Sequence, residues 1–160
     1  MGKDLADAYP SARQVFAEVD DALGEALTAI IWDGPADRLT LTENTQPALM
    51  AVSLAAMRTL EAEKGWTINT ARYVAGHSLG EYSALAAAGT LSIADAARLL
   101  RIRGKAMQEA VPVGEGAMAA LLGIDPDVAA KVAAEASIAT DLVCQVANDN
   151  APGQIGRAHV

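Results

Sequence analysis

An α/β fold is the reading this chain of 160 residues supports, and three features carry it. Long stretches with helical apolar spacing alternate with short β-prone ones, a glycine-flanked turn stands between one such pair, and the last third reads strand, helix, strand. Composition sets the scale. An apolar fraction of 52% supplies one domain-sized core and excludes a disordered chain. With 36 alanines and only 4% aromatics, that core is expected to be helices packed through small contacts.

Several function classes fall away on the same grounds. A net charge of −8, with no cluster of Lys and Arg set against it, argues against nucleic-acid binding by phosphate attraction. The single cysteine, Cys144, has no internal disulfide partner, and no zinc-ligand spacing surrounds it, so no metal is expected. The opening Met1-Gly2-Lys3-Asp4-Leu5-Ala6-Asp7 lacks the apolar core of a signal peptide. The longest uncharged stretch, from Asn44 to Met57, falls short of the ~20 residues a bilayer requires. A cytoplasmic chain with no membrane partner is therefore expected.

Taken in order, the elements begin at Pro10, a residue tolerated in a first helical turn. Val15, Phe16, Val19 and Leu23 recur at helical spacing from there until Gly24 stops the run. A short helix over Ala26 to Trp32 ends in the turn Asp33-Gly34-Pro35. A longer one runs from about Thr45 to Lys64, with Gly65 as its stop and Leu49, Val52, Ala56 and Leu60 as its buried face. Ala71-Arg72-Tyr73-Val74-Ala75 reads as a buried strand, and helix returns through Glu81 to Ala88. Ser92 with Asp95 resembles a capping box opening a helix that carries Ala96, Leu99, Leu100 and Met107 to about Ala110. Pro112, Gly114 and Gly116 mark a hinge-like loop, dividing a unit of residues 1–112 from a smaller one of residues 113–154. The smaller unit reads as strand from Ala117 to Gly123, helix from Pro126 to Ala136 capped by Asp125, and strand from Leu142 to Val146. A turn from Asn148 to Gln154 follows. Ile155 to Val160 continue neither a strand nor a helix pattern. The string ATC GGA AGA GCA CAC GTC, a common short-read sequencing adapter, encodes these six residues, so 155–160 is expected to be non-native.

The sharpest chemical signal is Gly76-His77-Ser78-Leu79-Gly80, a G-x-S-x-G between an expected strand and an expected helix. The five letters alone also fit a glycine-rich turn with an incidental serine; the strand before and the helix after favour a nucleophile. A serine on such a turn is forced into a strained backbone that pushes its hydroxyl outward, while the helix behind aims free N–H groups at the same spot. The Leu79 N–H is then placed to stabilise an oxyanion on a carbon bonded to the Ser78 Oγ. His77 is adjacent to Ser78 on a sharp turn, so its ring aims away, and a packed, hydrogen-bonded histidine is expected there. Arg98 and Arg101 are expected on a solvated helix face. A buried guanidinium beside the nucleophile would instead grip a carboxylate with two parallel hydrogen bonds and select an anionic acyl group.

These residues resemble the malonyl-CoA:acyl carrier protein transacylases. The matching segments are Asn44-Thr45-Gln46-Pro47-Ala48-Leu49, the run Gly76-His77-Ser78-Leu79-Gly80-Glu81-Tyr82-Ser83-Ala84-Leu85, and Arg103-Gly104-Lys105-Ala106-Met107-Gln108. Gly114-Glu115-Gly116-Ala117-Met118 and Asn148-Asp149-Asn150-Ala151-Pro152-Gly153-Gln154 complete them, in the family's order and spacing. The resemblance covers residues 1 to 154, about half of a full-length member. It implies a partial α/β-hydrolase-like acyltransferase core with an incomplete, ferredoxin-like small subdomain that stops after two strands. Ser78 would be the acyl nucleophile, Arg103 the ligand of the malonyl carboxylate, and Leu79 one oxyanion N–H. Gln46, Asn148 and Asn150 would line the pocket.

No bound cofactor is implied: malonyl-CoA is a substrate, and the phosphopantetheine thiol that accepts the acyl group belongs to the acyl carrier protein partner. The family's N-terminal G-Q-G-S-Q segment and its catalytic histidine have no counterpart here, so this chain is expected to be an inactive fragment. Three further readings stay open, one of them non-enzymatic, a folded or half-folded fragment with no activity and no partner; the other two are enzymes. One is an ester or thioester hydrolase using the same turn; the other is the acyltransferase module of a polyketide synthase.

Overall fold

A computed structural model describes residues 1–112 and 114–150 in full, and the backbone of residue 151 and of 154–159. The chain divides into two compact units, the first Met1–Gln108 and the second from Glu109 onward. The division falls in the last turn of a helix, a few residues before the expected one between 112 and 113.

The first unit is helical: α1 (Lys3–Ala8), α2 (Pro10–Leu23), α3 (Leu27–Asp33), α4 (Ala36–Thr40), α5 (Thr42–Lys64), a 3-10 turn at Ile68–Thr70, α6 (Leu79–Ala87) and α7 (Ile93–Ala110). Helix α2 obeys its sequence. Pro10 opens it, Gly24 closes it at a φ of 65°, and Val15, Phe16 and Val19 are buried against α5. Phe16 meets Trp32 of α3 edge to face, with ring centroids 5.4 Å apart, and the indole Nε1 donates to the Met1 carbonyl at 3.1 Å. The Ser92 hydroxyl accepts from the Asp95 N–H at 2.9 Å and donates to its carboxylate at 2.7 Å, closing the expected capping box on α7.

Two expectations are corrected here. The buried face of α5 is not Leu49, Val52, Ala56 and Leu60; Leu49 and Leu60 are exposed, and Ala48, Ala51, Leu54, Ala55 and Thr59 face inward. Both stripes have helical spacing, and the chain buries the alanine-rich one because small side chains let α5 lie close to its neighbours. The same preference operates in α7, where Ala96, Ala97 and Leu100 are buried and Leu99 and Met107 are exposed. Residues 71–75 form no strand, and Tyr73 is 80% exposed. A strand exists by hydrogen bonding to a neighbour, and among the described residues of this unit there is none.

The second unit contains β1 (Ala117–Leu122), α8 (Pro126–Thr140), β2 (Cys144–Ala151) and β3 (Gln154–His159), in an antiparallel sheet of order β1-β3-β2. The Asp125 carboxylate accepts from the Asp127 N–H at 2.9 Å, as a cap should. Strand β2 continues through Asn148, Asp149 and Asn150, where a turn was expected, and the described residues of the unit form three strands rather than two. The third runs through most of the span 155–160 that showed no strand pattern. Its backbone pairs on both sides, with β1 from Ala117↔His159 to Leu122↔Gln154 and with β2 across two register shifts. Ladder hydrogen bonds come from the main chain, so a segment between two open edges can pair without alternating side chains. Among the described residues, no helix is long and apolar enough to cross a membrane.

Candidate active site

The turn from residue 76 to residue 80 delivers the chain into α6, whose first residue is Leu79. Ser78 sits just before it at φ 55° and ψ −119°. Among the described non-glycine residues only Ser78 and Asp141 have positive φ, and Asp141, at ψ 27°, occupies the ordinary left-handed region. Ser78 lies outside that region, in backbone that side chains rarely adopt. Gly76 makes the turn possible: a Cβ there would stand 1.9 Å from the Gly80 carbonyl oxygen. Gly80 itself has open space on its Cβ side. The turn is held by the Gly80 N–H donating to the His77 carbonyl at 2.8 Å. As the first residue of α6, Leu79 offers an N–H with no carbonyl of its own helix to bond.

Across from the turn stands α7. Arg103 Nη2 donates to the Ser78 Oγ at 3.0 Å, and Arg103 Nη1 donates to the Oε1 of Gln46 on α5. Gln46 is 3% exposed, and its amide is oriented from behind: Nε2 donates to the Thr42 Oγ1 at 2.8 Å and to the Met107 Sδ at 3.4 Å. Its carbonyl is thereby left to face the guanidinium. Thr42 precedes Gln46 by one helical turn, a spacing the sequence displayed; Met107 comes from a different helix and carried no such signal. The Ser78 hydroxyl is exposed. Among the described residues its hydrogen-bond partner is Arg103, a group that donates and cannot take a proton.

The structure thus brings Ser78, Leu79, Arg103 and Gln46 together. Asn148 and Asn150 belong to the second unit, exposed on β2. His77 is exposed rather than packed. Arg98 pairs with Asp95 at the surface as expected, whereas Arg101 does not lie on a solvated face: its side chain is 12% exposed and donates to Asn44 Oδ1 and Glu25 Oε1. Gly104 explains the reach of both arginines that flank it. A Cβ at Gly104 would stand 2.4 Å from the Glu43 Cα, so α7 and the start of α5 touch backbone to backbone.

An exposed serine on strained backbone, a first-turn helix N–H beside it and a guanidinium over it make a site that can hold an acyl group carrying a carboxylate. Residues 1–155 match the sequence profile of a family described as acyl transferase domain. The malonyl CoA-acyl carrier protein transacylase of Bacillus subtilis (strain 168) is 48% identical over 155 residues, 97% of this chain and 47% of that protein. Its counterpart in Escherichia coli (strain K12) is 47% identical over the same share of the chain. The crystal structure of an acyl-carrier-protein S-malonyltransferase from Bartonella henselae superposes with a TM-score of 0.88 at 56% identity, covering 99% of this chain and 50% of that one. A malonyl-transacylase solved in complex with a type II polyketide synthase acyl-carrier protein superposes at 0.85 and 44% identity. The chain spans about half the length of the curated relatives it matches.

Proposed function

The chain belongs to the acyl transferase domain family, and we propose that it is the N-terminal half of an enzyme that moves a malonyl group from malonyl-CoA to the phosphopantetheine thiol of an acyl carrier protein, within an α/β-hydrolase-like core. The observation that carries this reading is the Arg103 guanidinium held by Gln46 at 3.0 Å from the Ser78 hydroxyl. In the proposed reaction the Ser78 oxygen, its proton passing to a base in the rest of the proposed enzyme, attacks the thioester carbon, the Leu79 N–H receives the oxyanion, and CoA departs as the thiol with that proton, leaving a malonyl-serine ester. The carrier's thiol then attacks that ester and regenerates the hydroxyl. Arg103 releases the serine from its Nη2 and presents two N–H groups to the free malonyl carboxylate, a bidentate pairing that a neutral acyl chain does not reward. No metal or bound cofactor takes part.

A hydrolase of neutral acyl esters would gain nothing from this guanidinium, which is why the transferase reading is preferred. Ser78 has no described group to receive its proton, and loss of a general base commonly costs ~10²–10⁴-fold, so the 160-residue chain alone is expected not to turn over. Mass spectrometry after incubation with malonyl-CoA tests both points. A full-length protein carrying this span should acquire one malonyl group on Ser78, lost in Ser78→Ala; Arg103→Ala should erase the preference for malonyl over acetyl donors. Acetyl and malonyl accepted alike by the unaltered protein would refute the reading. A stoichiometric adduct on the isolated chain would refute its inactivity.

A further inference from the structure

Resting on that reading, we propose that Arg101 is a positioning residue: with Asn44 and Glu25 it fixes how α5 crosses α7, and so where Arg103 stands over Ser78. At about 100° of rotation per residue, Arg103 projects about 100° to one side of Gly104 and Arg101 about 60° to the other. Facing them on α5, Asn44 and Gln46 flank Glu43 in the same way. Because Gly104 lets the two backbones meet at Glu43, the start of α5 is clasped between two guanidinium groups, one bonded to Asn44 and the other to Gln46.

The two arms differ in freedom. The Arg103 arm ends on Ser78 and must release it to take a substrate carboxylate. The Arg101 arm ends on protein alone: Nη1 on Asn44, Nη2 on Glu25, and an Nε that is buried without a partner. Asn44 is 4% exposed and passes the restraint on, its Nδ2 donating to the Arg38 carbonyl at 2.7 Å. An arm with no vacancy for substrate, tied to α5 and to the loop before α3, sets the helix crossing rather than the chemistry. A carboxylate clamp is sensitive to that setting, since a displacement of ~1 Å can cost ~10²-fold.

The test compares malonyl with acetyl transfer in the full-length protein carrying this span. Arg101→Met keeps the apolar stem and should lower the malonyl-to-acetyl ratio of kcat/KM about tenfold, the loss falling on KM for malonyl-CoA rather than on kcat. Glu25→Ala removes an anchor from a partly exposed site and should lower the ratio about threefold, while Glu25→Gln, which keeps an acceptor, should restore it. If Arg101→Met fails to fold, the Glu25 pair decides. A ratio unchanged in Glu25→Ala and in a folded Arg101→Met, with Arg103→Ala still abolishing it, would overturn this inference and leave the functional reading standing. A ratio indifferent to Arg103→Ala would bring down both.

Discussion

In the first unit Phe16, Leu27, Met50 and Leu100 are fully enclosed, whereas the buried apolar residues described in the second are Ala129, Ala133 and Cys144. Met118, Leu122 and Ile138 of the second unit are each at least two-thirds exposed. Helices that face one another across several sides make an interior from a short length of chain. A three-stranded sheet with one helix leaves most of its apolar side chains in water. The strained serine lies in the first unit, on an exposed turn held by the Gly80 N–H on the His77 carbonyl, by the close approach of Gly76 to Gly80 and by Arg103 on the hydroxyl, since a backbone outside its favoured regions persists only where its surroundings impose it.

That contrast is open to measurement. Phe16→Ala removes a fully buried ring and should destabilise the first unit by about 3–5 kcal/mol, while Ile138→Ser, at a site 85% exposed, should change stability by less than about 0.5 kcal/mol. Urea unfolding of the two variants beside the unaltered chain checks it; comparable losses would mean that the second unit is enclosed in solution. Gly76→Ala sets a methyl group against the Gly80 carbonyl and should cost about 1–3 kcal/mol. In the full-length protein it should also abolish acylation of Ser78, since the turn cannot move without carrying the serine with it. Normal acylation in that variant would show that the close approach is dispensable.

How much of this was legible follows from where the forces act. Helix boundaries set by Pro10, Gly24, Gly65, Ser92 and Asp125 came through because each acts on backbone within a turn of itself. The turn at Ser78 came through for the same reason: Gly76 and the helix start are local. Residues 71–75 did not, since a strand needs a partner that the segment's own residues cannot supply. Nor did the buried face of α5, where Ala48, Ala51 and Ala55 compete with Leu49 and Leu60 at equal spacing and only the neighbouring helices decide. Arg103 entered the candidate site through a family resemblance. Arg101, two residues earlier, was read as a surface charge because its partners Asn44 and Glu25 are distant in sequence and no local pattern announces them.

Helix capping gives the finest comparison of the two units. Helix α7 carries a Ser92 cap and also buries Ile93, Ala96, Ala97, Leu100 and Gly104, whereas α8 carries an Asp125 cap and buries Ala129 and Ala133 alone. Removing either cap costs about 1 kcal/mol of helix stability, but that sum is a larger part of what holds α8. Asp125→Ala should therefore speed amide hydrogen exchange throughout α8 by about fivefold, the factor that 1 kcal/mol commands. Ser92→Ala should speed exchange only in the first turn of α7, because side-chain packing holds the rest. Equal and helix-wide acceleration in both variants would show that α7 is no better anchored than α8, and that the enclosed side chains of the first unit contribute less than their burial implies.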